Sequence, residues 1–383
     1  MEAFVVFTTA WTASPQRPSE GFTPNWSQEG FWRQSLRQVV RLSAGGDRVR
    51  VRLSNAYGTS PLRVAGASLA RTGAGAAVQP GSVRRLTFAG AASVEIPAYG
   101  HTVSDAVGLA LESGESVTVT LHLDAVTGPA TFHAQAFTTS YRGPGDRLAD
   151  TGGEGFDATT ESWYFLSAVE VSAGRRDGIA LLGDSITDGF GSTPGADRRW
   201  SDALAERTGR PVLNAGIGGN LLLNDSAWYG ERSVHRLARD VLDHEGVSTL
   251  VVLQGLNDIG FSETDEQLTY KPAPVVEAEE LIAGHRELIR RARARGLYVV
   301  GATLLPFGGS DHWGEHAAKV SHEVDEWIRC SGEYDAVVDL NRVMADPADP
   351  DRLHPAYDFG DHLHPNDAGY EVMAEALAGL LER

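Results

Sequence analysis

Cysteine is all but absent. Cys330 stands alone in 383 residues, so no internal disulfide can form and cysteine does not fix the redox compartment. Lysine is nearly as scarce: beyond Lys271 and Lys319, every basic side chain is arginine. Acidic residues outnumber Lys and Arg by 51 to 33, a net charge of −18. That deficit excludes nucleic acid and anionic membrane as main partners, because no basic field exists to attract phosphate. No apolar run approaches the ~18–20 residues of a membrane span. The opening Met1-Glu2-Ala3-Phe4-Val5-Val6-Phe7 lacks the basic start and longer apolar core of a secretory signal. A cytoplasmic location is expected, or a secreted one if a signal has been lost.

Two ligand signatures are missing as well. Neither G-x-G-x-x-G nor Walker spacing occurs in the glycine-rich stretches, which argues against a phosphate cradle. The nucleophile elbow Gly-x-Ser-x-Gly is not met either: Gly183 precedes Ser185 by two, but Thr187 stands where the second glycine belongs.

What is present divides in two. Hydrophobic content of 42% against 22% charged residues suits a globular chain, and the length suits two domains. From Ser35 to about Tyr141 the pattern has period two. Arg48, Arg50 and Arg52 alternate with Val49, Val51 and Leu53, and Thr118, Thr120 and His122 with Val117, Val119, Leu121 and Leu123. Such alternation predicts half-buried antiparallel strands. Gly, Ser and Pro punctuation, with no sizeable amphipathic helix, makes residues 1–172 an all-β sandwich or jelly roll. The opening segment, with Trp11, Phe22, Trp26, Phe31 and Trp32 among prolines, is too broken for regular structure. Its aromatics either cover the sandwich edge or line a groove shared with the second half. Asn55 and Tyr57, at a strand tip, are candidate substrate contacts, with a plain turn as the alternative.

The boundary is expected in the polar stretch Ser172–Asp177, making residues 173–383 the second domain. Here short apolar runs (Ile179–Leu182, Val212–Asn214, Thr249–Leu253, Tyr298–Leu304, Ala336–Leu340) alternate with helical segments (Trp200–Arg207, Arg232–His244, Val276–Arg295, Glu315–Cys330, Asp367–Glu382). Five strand–helix units predict an α/β domain with a five-stranded parallel sheet, whose strands all end on one edge.

Chemistry-bearing residues fall at those ends. After the first strand comes Gly183-Asp184-Ser185, with Ser185 either a nucleophile or a helix cap. After the second comes Gly216-Ile217-Gly218-Gly219-Asn220, and after the third Gln254-Gly255-Leu256-Asn257-Asp258. Gly219 N–H and the Asn257 amide are candidate donors to an oxyanion; plain βα turns are the alternative. Asp361-His362-Leu363-His364-Pro365 precedes the last helix, and an acid three residues before a histidine can orient the base that serine needs. Asp351-Arg352-Leu353-His354-Pro355 repeats the spacing, but in what reads as an irregular loop, without a capped helix after it. A Zn²⁺ site from His354, Asp361, His362 and His364 is the minor alternative. Trp200, Tyr229 and Arg232, near helix starts, are candidate pocket residues or plain helix surface.

With Gly183-Asp184-Ser185, Gly219, Asn257 and Asp361-x-x-His364 in this order, the chain resembles the SGNH (GDSL-type) hydrolase superfamily. The resemblance implies a flavodoxin-like sheet and Ser185 as nucleophile, His364 as base and Asp361 as its partner. It also implies an oxyanion hole from the Ser185 and Gly219 N–H groups and the Asn257 side chain, with no metal or bound cofactor. Trp11-Thr12-Ala13-Ser14-Pro15-Gln16, Arg37-Gln38 and Arg50-Val51-Arg52-Leu53-Ser54-Asn55-Ala56-Tyr57-Gly58 are similar to bacterial two-domain members carrying a carbohydrate-binding-module-like sandwich. Most of those are secreted esterases; a smaller group comprises intracellular acyltransferases that decorate polyketides, salicylyl transfer in tetracycline-type tailoring among them. The implied expectation is acyl transfer from acyl-CoA to a hydroxyl of a small-molecule acceptor. The alternatives are an esterase or carbohydrate deacetylase using water, and a carbohydrate-binding protein without catalysis.

Overall fold

The computed structural model describes residues 5–172, 175–264 and 267–382. It falls into two units, Met1–Arg176 and Asp177–Arg383. Ala173 and Gly174, in the stretch expected at the boundary, and the first four residues, which the signal-peptide argument used, lie outside the described residues.

The amino-terminal unit is built of antiparallel strands. Gln34–Arg41 and Ser116–Leu123 pair along their whole length at the centre of a six-stranded sheet. Gly46–Ser54 pairs with Leu166–Val171 in a second, five-stranded sheet. Val49, Val51 and Leu53 point into the core, and the arginines between them point out. Two of those arginines, Arg50 and Arg52, close on the buried carboxylate of Glu170 in the adjacent strand. Period two misleads at Thr118 and Thr120, which are buried. Thr120 accepts a 3.2 Å hydrogen bond from Arg37 Nε, and the Arg37 guanidinium also donates to the carbonyls of Asp150 (2.8 Å) and Gly152 (3.1 Å). Burial lowers that guanidinium to about 10.

The opening segment is more regular than its prolines suggest. Thr8–Thr12 is a strand paired with Leu166–Val171, and Trp11, Trp26 and Phe31 are core residues; Phe22 and Trp32 stay exposed. Long-range aromatic packing, edge-on for Trp11 on Trp163 at 4.8 Å and stacked for Trp26 on Tyr164 at 5.6 Å, orders it.

In the carboxyl-terminal unit five strands form one parallel sheet: β1 (Gly178–Gly183), β2 (Val212–Gly216), β3 (Val247–Leu253), β4 (Tyr298–Ala302) and β5 (Ala336–Val338). Their order is β2-β1-β3-β4-β5, the flavodoxin-like sequence of neighbours. Every residue of β1 is buried, as a central strand covered on both faces requires. The helices are α1 (Ser185–Asp188), α2 (Trp200–Thr208), α3 (Ser233–Leu237), α4 (Leu256–Gly260), α5 (Ala278–Arg293), α6 (Glu315–Cys330), α7 (Leu340–Met344) and α8 (Asp367–Leu381). Apolar side chains at helical spacing bury α6: Ala317, Val320, Val324 and Ile328. The helix expected over Arg232–His244 is shorter and ends in a π-helical turn, Ala238–Leu242.

Chain order reverses between β1 and β3, so the crevice at their carboxyl ends is the switch point where open α/β sheets bind ligands. One fully buried side chain ties that edge together. Arg236 of α3 donates to the carbonyls of Gly183 (2.8 Å), the last residue of β1, and Ala215 (2.7 Å), the last but one of β2. It also donates to Asn220 Oδ1 (3.0 Å) and pairs with the buried Asp240 at 3.1 Å. Replacing Arg236 by Met is expected to cost about 3–5 kcal/mol, because Asp240 loses a partner in a dry site. Urea unfolding followed by tryptophan fluorescence measures it; a loss below about 1 kcal/mol would contradict the buried-clamp account.

Candidate active site

Ser185 opens α1 directly after β1, and the cap is not its own: Asp184 is the N-cap, its Oδ1 accepting from Ile186 N at 3.0 Å. The need for glycine at 183 is space. A Cβ there would lie 1.9 Å from Thr187 Oγ1, so the threonine occupying the place of a second glycine is what the first must make room for. Asp184 is fully buried, and burial pushes its carboxyl up to about 7, with the Ile186 hydrogen bond pulling the other way.

Ser185 Oγ lies 2.8 Å from His364 Nε2, although 179 positions separate them in the chain. His364 Nδ1 lies 2.7 Å from Asp361 Oδ2. Asp361 Oδ1 accepts from the backbone N–H groups of Leu363 (3.0 Å) and His364 (2.9 Å). Burial alone would raise the Asp361 carboxyl, but the His364 hydrogen bond and charge, with these two N–H donors, hold it at about 2. It is therefore ionised across the neutral range. The turn is mounted on α8, whose N-cap Asn366 accepts from Gly369 N at 3.1 Å. Phe190 lies against the imidazole, with ring centroids 4.4 Å apart.

The repeated Asp-x-x-His does not assemble in this way. Asp351 pairs with His322 at 2.7 Å, and His354 Nδ1 accepts from Ala356 N. Its surroundings are not an irregular loop, as expected, but a hairpin of Ala345–Asp346 and Asp349–Leu353, formed by backbone pairing that an Asp- and Pro-rich stretch conceals. His362 pairs with Asp358 at 2.6 Å. Among the described residues no group of three or more His, Cys, Asp or Glu is arranged to hold a metal.

The other two loops follow β2 and β3, the strands that flank β1 on either side. Gly219 has φ +70°, and a Cβ there would lie 2.4 Å from the Tyr229 ring, so only glycine fits. Asp188 steers this loop by accepting from Gly218 N at 3.1 Å. Asn257, in the first turn of α4, donates from Nδ2 to the Asn220 carbonyl at 3.2 Å. Asp258 accepts from Leu222 N (2.7 Å) and Leu223 N (2.9 Å), fixing the loop after Gly219 to α4.

The remaining candidates separate. Tyr229 belongs to an aromatic cluster with Phe261 and Tyr270, the last two stacked at 3.9 Å. Trp200 is fully buried in the core of its unit, which corrects its reading as a pocket residue: an apolar helix start is equally a core anchor. Arg232 donates to the Leu223 carbonyl (3.1 Å) and to His235 (2.9 Å), holding its own loop. Asn55 is buried in the amino-terminal unit, its Nδ2 donating to the carbonyls of Ser60, Ile96 and Pro97; it locks a turn and offers no free amide donor. Tyr57 lies under the Arg17 guanidinium at 4.9 Å. Sequence reasoning missed Asp188, Asn220, Arg236, Asp258, Phe261, Tyr270 and His312. Asn220, Asp258 and Asp188 carried a signal: the first two stand inside stretches already singled out, and Asp188 directly follows Thr187.

The family model described as the GDSL-like lipase/acylhydrolase family matches residues 181–372, just over half of the chain. No curated protein matches. Among solved structures, an inhibitor-bound aryl esterase of M. smegmatis shares 15% identity over 54% of this chain and 98% of its own, with a TM-score of 0.42. A GDSL-like lipase of Bacteroides thetaiotaomicron VPI-5482 shares 17% over 54% and 88%, TM-score 0.41. A family two carbohydrate esterase of Clostridium thermocellum, solved with cellohexaose, shares 12% over 98% of both chains, TM-score 0.41.

The buried Asp184 carboxyl predicts a pH dependence. Its value is about 7 in the fold against the ordinary 3.8. Between roughly pH 4 and 7 the folded chain therefore holds a proton that the unfolded chain has lost, and this group's contribution to stability falls as pH rises through that window. Asp184→Asn keeps the cap acceptor and removes the titration. Melting temperatures of wild type and variant from pH 5 to 8 should show the variant gaining relative stability toward pH 8; parallel curves would contradict the shift.

Proposed function

Because the chain belongs to the GDSL-like lipase/acylhydrolase family, we propose that it catalyses acyl transfer from an ester through an acyl-enzyme on Ser185. It is a serine hydrolase or acyltransferase. The observation that carries the proposed mechanism is the relay Ser185 Oγ–His364 Nε2 at 2.8 Å and His364 Nδ1–Asp361 Oδ2 at 2.7 Å. Ser185 Oγ attacks the acyl carbonyl while its proton passes to His364 Nε2, and the Asp361 carboxylate holds the resulting imidazolium. The carbonyl oxygen becomes an anion received by the N–H groups of Ser185 and Gly219 and by Asn257 Nδ2. Collapse breaks the bond to the alcohol, which leaves with the proton from His364. Water or a hydroxyl acceptor then attacks the acyl-serine, with His364 again as base, and Ser185 recovers its proton.

The reading supported best is a carboxylic ester hydrolase. A second, finer reading is transfer of an aromatic acyl group, such as salicyl, from a CoA thioester to a hydroxyl of a natural product. The aromatic cluster of Tyr229, Phe261 and Tyr270 supports it, with Tyr229 directly against Gly219: flat rings beside the oxyanion loop suit a flat acyl group. The paired antiparallel sheets of the amino-terminal unit are compatible with a jelly roll of carbohydrate-binding-module type.

Ser185→Ala should abolish turnover of an aryl ester, and Asp361→Asn should lower kcat by about ten-thousand-fold through loss of the productive tautomer. Steady-state kinetics measure both; unchanged turnover in Ser185→Ala removes the proposal. Acyl-CoA supplied with and without candidate alcohols then separates the two readings by ester product against free acid.

A further inference from the structure

A second carboxylate–imidazole pair stands behind the oxyanion amide, and the proposed chemistry does not use it. His312 Nδ1 lies 2.7 Å from Asp311 Oδ1, and His312 Nε2 lies 3.2 Å from Asn257 Oδ1. The sense of the second bond follows from its neighbours. Asn257 Nδ2 is committed to the Asn220 carbonyl, so its Oδ1 faces the imidazole and must accept. Nε2 therefore donates. Nδ1 faces the Asp311 carboxylate.

The ring has little freedom to do anything else. His312 is 1% exposed. A Cβ on Gly260 would lie 2.3 Å from the imidazole, so the ring rests on the α4 backbone. Phe261 and Tyr270 meet it edge-on at 5.5 Å each. Asp311, by contrast, is half exposed. Its carboxyl is lowered first by the His312 hydrogen bond, and it also feels the charges of His364 and Asp361, which places it within electrostatic reach of the relay.

Resting on the proposed role of Asn257 as an oxyanion donor, we infer that His312, braced by Asp311, is a positioning residue for the reaction. It pulls on Asn257 Oδ1, fixes which way the amide faces, and polarises it so that the Nδ2 hydrogens are stronger donors. One of those hydrogens is spent on Asn220; the other is left for the anion. An amide without this brace can rotate about its last torsion, and the donor would then be aimed only part of the time.

The test is a double-mutant cycle on aryl-ester hydrolysis, with kcat and KM determined separately. His312→Ala should lower kcat by ~10–100-fold, part of what losing an oxyanion donor outright costs, with KM within about twofold. His312→Gln, which retains an N–H near the position of Nε2, should recover most of the loss. Introduced into Asn257→Ala, His312→Ala should cost less than about threefold, because its target is gone. An equal loss in both backgrounds, or a loss below twofold in the wild type, overturns the inference. If His312→Ala shows no cooperative melt, the half-exposed Asp311→Asn runs the same cycle, with an expected ~3–10-fold loss in kcat that vanishes in Asn257→Ala; unchanged kcat overturns the inference. Unchanged turnover in Asn257→Ala itself removes the oxyanion reading and this inference with it. A large loss in Asn257→Ala beside an additive loss in His312→Ala removes this inference alone.

Discussion

The buried Arg236 guanidinium is what the reacting edge of the sheet depends on. Desolvating a charge costs several kcal/mol, and a cation survives without water only where acceptors surround it. Here they are the carbonyls of Gly183 and Ala215, the side chain of Asn220 and the carboxylate of Asp240. Those same acceptors carry the loops of Ser185 and Gly219. Burial works against the Asp240 carboxylate, but Arg239 and Arg236 together keep it below the usual range, so the pair stays charged at neutral pH. The edge is thus fixed electrostatically within the protein itself.

Asn220 extends the clamp. Its Nδ2 donates to the carbonyls of Tyr229 and Glu231, its Oδ1 accepts from Ser233 and Arg236, and its backbone carbonyl receives the Asn257 amide. Asn220 therefore joins the loop after β2 to α3 through its side chain and to α4 through its backbone carbonyl. The amino-terminal unit uses the same device. Gln38 donates to the Tyr164 carbonyl at 3.0 Å and accepts from its N–H, and Asn55 ties the Ser60 carbonyl of its own turn to those of Ile96 and Pro97. In both units buried amides and guanidiniums organise the segments that sheet pairing leaves irregular.

Much of this was legible in the sequence. Alternation exposed the strand around Val49–Leu53, because one face of it meets water; it misjudged Thr118 and Thr120, because Arg37 and its loop cover the other face. The five parallel strands were visible as short apolar runs whose ends marked Ser185, Gly219 and Asn257, and the Asp361–His364 turn was marked by the helix it precedes. Trp11 and Trp26 were not placed, since proline-broken segments reveal nothing of the distant rings they pack on. Arg236, Asn220 and His312 stayed hidden for a related reason. An arginine on a helix reads as solvent-facing until the carbonyls it satisfies are seen, and a His beside an Asp in a loop reads as ordinary polar surface.

Asp361 and His364 belong to a single turn, sealed by two backbone donors and seated on the cap of α8. The carboxylate and the imidazole are consequently held to one another from within the turn. That turn is also tied to the chain that follows Ser185 through α8: Asp367 accepts from Thr193 N (2.8 Å) and Thr193 Oγ1 (2.7 Å), and Tyr370 donates to the Phe190 carbonyl. The Ser185–His364 hydrogen bond is therefore one of several between the last helix with its turn and the chain leaving the first strand, so the fold as a whole sets its length and not the two side chains alone.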